Sequence, residues 1–226
     1  MCCRYTCRLS PDELEHLFGL LTFYDYSPRY NLAPSQPATV VRRNSAGHVE
    51  AARLTWNFLA RLGASPLPNA KWETAAQKPS FKEAIRNRRC LIPADGFIEW
   101  RTVGKKKVPI WFRLAGGTPF AFAGVWQPGP AGGPDTFAIL TTTANDLVRA
   151  VHDRMPVILT RDRFAGWLAP GYDPVAIAAL CQPVPAGDMT ATPIDPRINT
   201  WRNEGPELLR FTPPPAATGD LFAAVE

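Results

Sequence analysis

Proline limits this chain more than any other residue: 24 of its 226 residues are proline, about twice the roughly 5% typical share. Each proline lacks a backbone donor and clashes with the turn before it in a helix interior, so long helices are excluded. Turns and short strands are expected instead. A chain of this length still has room for a sizeable core, burying roughly 70% of its unfolded surface.

The pattern along the chain agrees. Ser10-Pro11-Asp12-Glu13 reads as a helix start, with a Ser cap, Pro at the first helical position and Glu closing a capping box. Leu14, Leu17 and Phe18 give it an apolar stripe that leaves His16 outside. Residues 28–37 read as a turn-rich segment, 38–43 and 49–56 as a hairpin around Asn44-Ser45-Ala46-Gly47, and 62–68 as a loop. Ser80-Phe81-Lys82-Glu83 reads as a second capping box opening a helix to about Arg88. Strands are expected at 90–93, 96–100, 109–114, 120–126, 137–142, 155–159 and 189–194, and helices at 144–151, 161–168 and 174–180. The sum is an α+β single domain with a sheet-rich, barrel-like core of short strands and a few peripheral helices. The domain is expected to span residues 1–212, and the Pro/Ala-rich tail 213–226 to be disordered.

Several classes drop out. No uninterrupted apolar stretch approaches the roughly 18 residues of a membrane span, and MCCRYTCRLS carries no signal-peptide core, so a cytoplasmic protein is expected. Five cysteines at 2, 3, 7, 90 and 181 form no CxxC pair. With histidines only at 16, 48 and 152, neither a metal site nor a cofactor is expected. Net charge is +5, and residues 71–107 carry ten Lys/Arg against four acids. A basic segment on a near-neutral body suits a phosphate-bearing partner as well as a solvated face. Lys105-Lys106-Lys107 reads as a hairpin tip, and Lys71, Lys78, Lys82, Arg86, Arg88 and Arg89 as better placed charges.

Cys2 is the sharpest chemical feature. Removal of Met1 would make it an N-terminal 1,2-aminothiol, its α-amine with a pKa of roughly 7.7–8.0 and its thiol near 8.5. An aldehyde can form a Schiff base with that amine, and the thiol can close onto the imine carbon as a five-membered thiazolidine. His152, in a polar His-Asp-Arg triplet between helix and strand, is a candidate for acid–base work or a structural residue. Glu99 shares a strand face with Phe97, opposite Ile98 and Trp100, so it is either exposed or raised in pKa by burial. Asn69, beside Glu73 in NAKWET, is either an oxyanion-type donor or a loop cap.

Together, MCCRY, RYNLAPSQ at 29–36, NAKWET at 69–74, KPSFKEAIRNRRCLIPADGFIEW at 78–100, FAGVW at 122–126 and TTTAN with HDRMPVIL at 141–159 resemble the SRAP family. Its members were first labelled SOS-response-associated peptidases and are now described as abasic-site processing proteins. The resemblance spans about residues 1 to 200 and implies the SRAP fold. It also implies binding of single-stranded DNA and capture of an abasic-site aldehyde by Cys2 as a stable thiazolidine crosslink that shields the lesion. On the same resemblance Asn69 is a donor to the sugar, Glu99 assists Schiff-base formation, and His152 moves protons on the deoxyribose oxygen. Arg4, Lys71, Trp72, Lys82 and Arg154 fall where DNA contacts are expected. Differences from the family pattern are Cys3 where Gly is common, Lys71-Trp72 in the NAR-A-ET segment, and Asn57-Phe58 after Trp56; they bear on DNA geometry more than on chemistry.

Two other readings of the same residues are an N-terminal-nucleophile Cys peptidase or amidohydrolase, and a non-catalytic single-strand-binding module. A monomer associated with the nucleoid is expected. In the tail, Asp220-Leu221-Phe222 is similar to the end of the bacterial sliding-clamp-binding pentapeptide, which would tether the protein at replication forks.

Overall fold

A computed structural model describes residues 3–20, 26–59, 65–129 and 132–214. Cys2, Asp220, Leu221 and Phe222 lie outside the described residues. The elements in chain order are β1 (Tyr5–Cys7), α1 (Pro11–Phe18), β2 (Arg29–Leu32), β3 (Pro37–Arg43), β4 (Val49–Trp56), β5 (Asn69–Lys71), α2 (Trp72–Ala75), α3 (Lys82–Asn87), β6 (Arg89–Ala94), β7 (Gly96–Val103), β8 (Lys106–Leu114), β9 (Phe120–Gln127), β10 (Thr136–Thr143), α4 (Asp146–Arg149), β11 (Arg154–Pro156), β12 (Ile158–Leu159), α5 (Arg161–Leu168), α6 (Pro174–Leu180) and β13 (Met189–Pro193).

The expected barrel is present. Strand β3 pairs with β4, β4 with β10, β10 with β9, β9 with β6, and β6 with β3, closing a ring that leaves no edge among these five. Gly124 permits the closure, because a Cβ there would lie 2.2 Å from Ile92 Cδ1 and 3.0 Å from the Ala138 carbonyl oxygen. A second sheet, in the order β13-β8-β7-β1-β2, packs against the barrel. Tyr5 joins the two layers: its ring lies 5.1 Å from that of Trp56 and 5.5 Å from that of Phe122.

The second sheet has two buried faces. Phe97 and Phe112 point to the barrel, their rings 5.1 Å apart. Ile98 and Trp111 point the other way, into a smaller core completed by Ile194, Ile198, Leu208 and Leu209. This segment after β13 is wound around Asn31, a fully buried residue on β2 whose amide nitrogen donates to the carbonyls of Ile198, Thr200 and Asn203 at 3.0–3.1 Å.

The first capping box forms, Ser10 accepting from Glu13 N–H and the Glu13 carboxylate from Ser10 N–H. The second does not. Phe81 is the cap residue of α3, already in helical geometry at φ −118°, ψ −15°, and no side chain bonds there. Residues 28–37 are less irregular than expected, since 29–32 form β2 at a sheet edge, where flanking prolines cost no ladder bond. The strand expected at 155–159 is divided at Val157, whose N–H donates to Leu140 O while its carbonyl accepts from Ala123 N–H. The chain thereby passes from β10 to β9 as those strands splay. At the β7–β8 hairpin the turn is Gly104-Lys105, Gly104 taking φ +58°, so Lys106 and Lys107 belong to β8 and not to the tip.

Candidate active site

β10 collects most of the candidate residues. β5 runs parallel along one edge, with Asn69 opposite Ile139 and Lys71 opposite Thr141. β11 runs antiparallel to its C-terminal half, with Arg154 opposite Thr143. This register brings Asn69, Lys71, Trp72 and Glu73 to the same end of β10 as His152, Asp153 and Arg154. Asn69 is buried and Lys71 exposed. Trp72 lies half-buried, its indole N–H donating to Thr142 Oγ1 at 3.2 Å.

Arg154 is held within the protein. Its guanidinium donates to both Glu73 carboxylate oxygens, at 2.7 and 2.8 Å, and to the Thr141 carbonyl at 2.5 Å. Burial acts to raise the Glu73 pKa, but the Arg154 hydrogen bonds outweigh it and hold the carboxyl below its ordinary value.

His152 precedes this clamp. Its Nδ1 lies 2.9 Å from Arg154 N–H and 2.9 Å from Asp153 Oδ1. Both contacts cannot be hydrogen bonds in one protonation state. Neutral imidazole accepts from the amide at Nδ1 and keeps its proton on Nε2, whereas imidazolium turns a donor toward Asp153. Burial is the largest influence and lowers the His152 pKa, so the amide contact describes the neutral form.

Glu99 faces this cluster from the other sheet. The pleat that sends Phe97 into the core sends Glu99 the same way, leaving it 5% exposed. Burial pushes its pKa up to about 7, and the Asp153 carboxylate adds to the rise. Beside it runs β1, with Tyr5 opposite Phe97 and Ile98 N–H donating to Arg4 O at 3.0 Å. Cys3 is close enough for Glu99 to raise its thiol pKa, after the larger effect of burial. Consecutive Cα atoms are about 3.8 Å apart, so the peptide link alone keeps Cys2 beside Cys3.

Two further candidates lie outside the β10 cluster, Arg4 just before β1 and Lys82 on α3. Arg4 donates to the carbonyls of Cys3 and Asn199 and lies 6.0 Å from the Trp100 ring centroid. Lys82 is exposed at the start of α3, which packs on β6 and β9. The basic segment 71–107 is not one patch. Arg89 is buried, donating to the carbonyls of Ile85, Arg86, Trp167 and Gly171 at 2.7–3.0 Å and to that of Ala169, and Arg88 pairs with Glu83.

Sequence reasoning gave Glu73 no role and did not single out Thr141, Asp153 or Asn199. Glu73 and Arg154 are 81 positions apart, and only strand pairing brings them together. The Asp153 signal was present in the triplet that drew attention to His152. Among the described residues no group of three or more His, Cys, Asp or Glu could hold a metal ion.

A carboxyl with a pKa near 7 and a histidine at one site suit proton transfer. The family described as SOS response associated peptidase (SRAP) matches residues 1–201. The chain belongs to the SRAP family. It is 36% identical to the abasic site processing protein YoqW of Bacillus subtilis (strain 168), over 92% of this chain and 99% of the relative. Its identity to the abasic site processing protein YedK of Escherichia coli (strain K12) is 30%, over 83% of this chain and 87% of the relative. A solved protein from Bacteroides thetaiotaomicron shares the fold at a TM-score of 0.80 and 23% identity, covering 93% of this chain and all of that one. One from Bordetella bronchiseptica aligns at a TM-score of 0.73 and 27% identity, over 86% and 100%. Among the described residues no helix is long and apolar enough to cross a membrane.

Proposed function

We propose that this SRAP protein captures abasic sites in single-stranded DNA as a covalent thiazolidine through Cys2, after Met1 is removed. The observation that carries the reading is the adjacency of β1 and β7, with Cys3 in electrostatic reach of the buried Glu99. The Cys2 amine attacks the C1 aldehyde of the ring-opened sugar, and the hydroxyl of the resulting carbinolamine leaves as water on receiving a proton. Glu99, with its pKa near 7, can give that proton, and neutral His152 can carry a proton to or from the sugar oxygen. The Cys2 thiol then adds to the imine carbon and its proton passes to nitrogen. Asn69 donates to the sugar, and Lys71, with Arg4, Trp72, Lys82 and Arg154, supports the strand.

The other thiols support Cys2 by contrast. Burial pushes Cys7 and Cys181 up to about 12 and Cys90 further, so none of the three supplies thiolate at neutral pH. The test incubates Met1-processed protein with an abasic oligonucleotide and resolves the mixture on a denaturing gel. A covalent band that disappears in Cys2→Ala is expected; no band from the processed wild type rejects the proposal. Cys2→Ser separates this reading from peptidase chemistry, because serine can retain hydrolysis but cannot form a thiazolidine. For the tail, the Asp220-Leu221-Phe222 match supports a sliding-clamp tether. Titration of a 213–226 peptide with a bacterial clamp tests it, and binding unchanged by Leu221→Ala/Phe222→Ala removes it.

A further inference from the structure

Trp201 is 45% exposed, although the backbone on either side of it is hydrogen-bonded to the protein. The carbonyls of Thr200 and Asn203, on either side of it, are both held by the buried amide of Asn31. Two residues earlier, Asn199 accepts from the Arg4 guanidinium through its carbonyl, at 3.2 Å, and from the Trp100 indole through Oδ1, at 2.6 Å. Trp201 is thus within about 7 Å of backbone from a residue bonded to Arg4, itself two residues from Cys2. An indole 45% exposed on this frame offers part of its polarisable surface to a ligand.

The charges around it select the ligand. The Arg202 guanidinium lies 4.5 Å from the Trp201 ring centroid. Of the neighbouring acids, Asp195 bonds Arg197 at 2.6 Å, Glu204 bonds Arg29 and the amides of Tyr30 and Asn31, and Glu207 lies close enough to Arg197 to raise its pKa after the larger effect of Asp195. An indole with a guanidinium over one face suits a nucleobase on its other face and a phosphate beside the cation, and base–aromatic stacking is tolerant of sequence.

We propose that Trp201 and Arg202 form a stacking platform for a base flanking the lesion, fixing the strand that the N-terminus then attacks. The identity of the ligand as single-stranded DNA rests on the function proposed above, but stacking requires no covalent step and is measured apart from it. The probe is a labelled single strand with one central tetrahydrofuran residue, which carries no aldehyde. Trp201→Ala is expected to raise its Kd about tenfold, with Trp201→Phe recovering most of the loss and Arg202→Ala giving a smaller one. A strand built wholly of tetrahydrofuran residues has no bases to stack, so wild type and Trp201→Ala are expected to bind it equally. An unchanged Kd in Trp201→Ala overturns the platform, as does an equal loss on the base-free strand, which would mark a disturbed loop. The two proposals fail separately: a missing crosslink with a persisting Trp201 effect removes only the covalent reaction, and a Cys2-dependent crosslink with an indifferent Trp201 removes only the platform.

Discussion

Arg154 and Glu73, 81 positions apart, meet in a two-pronged ion pair at 2.7 and 2.8 Å that ties β11 to α2 across the end of β10. The Arg154 side chain is only 11% exposed, so removing its partner leaves a largely buried cation with one carbonyl, Thr141 O, in place of a carboxylate. Glu73→Ala is expected to cost about 2–3 kcal/mol, as for hydrogen bonds to charged groups, and to lower Tm by about 4–10 °C. The pH dependence follows from a carboxyl held below its ordinary value of 4.5. Its stabilisation is fully present above that value and is lost as pH falls through the lower folded pKa. Melts of both proteins across pH 3–7 check this: a constant gap above about pH 5, closing in more acid, is expected.

Glu99 carries the opposite sign. Its pKa rises from 4.5 to about 7, so between those values the folded state binds more protons than the unfolded one. Stability therefore falls as pH rises through that window, with a ceiling of about 3 kcal/mol. Glu99→Gln removes the penalty and should gain on wild type progressively from pH 4.5 to 7 in denaturant titrations. The same substitution should slow crosslinking by about 10²–10⁴-fold and leave DNA binding intact, because a proton donor is lost and the nucleophile is not. As the carboxylic acid is the proposed donor, the Glu99-dependent part of the wild-type rate should decline above about pH 7. Equal loss of binding and crosslinking would contradict this role.

How far the sequence led can be seen at particular residues. Strand alternation placed Glu99 on the Phe97 face, and the structure agrees because a period of two admits no other arrangement once Phe97 is core. The barrel followed from many short strands needing partners. β5 was missed because Asn69 and Lys71 have weak strand preference, and this short strand forms only through its parallel partner β10. The basic run at 86–89 gave no hint that Arg89 satisfies carbonyls from α3 and from the end of α5, since that need arises when distant segments meet. Local rules read each strand; closure decided which of their charges meet.

Lys71 and Lys82 make a paired prediction because their settings differ. Lys71 ends β5 within the site cluster, and Lys82 stands on α3, packed on β6 and β9. Binding to undamaged single strands should weaken steeply with salt, with a log–log slope of roughly −0.7 for each phosphate contact. Lys71→Glu should weaken binding for all sequences and flatten that slope by about one contact, and Lys82→Glu should do so to a smaller degree. Affinity flat between low and physiological salt would remove both residues from the phosphate path.

The last prediction concerns which thiol reacts. Cys7, Cys90 and Cys181 are buried and held protonated, so a brief native-state treatment with iodoacetamide near pH 8 should leave all three unmodified, and denatured protein should modify all of them. Cys3 is half-buried, and burial together with Glu99 raises its thiol pKa, so it should react slowly. Cys2 should be alkylated first, and alkylation should abolish crosslinking in step with its modification, because the blocked sulfur can no longer close the ring. Cys3→Ser should crosslink at the wild-type rate, since a five-membered ring needs the amine and thiol of one residue. Peptide mass spectrometry against reaction time, beside the gel assay, checks both. Crosslinking that survives complete Cys2 alkylation, or fails in a folded Cys3→Ser protein, would assign the chemistry to a different group.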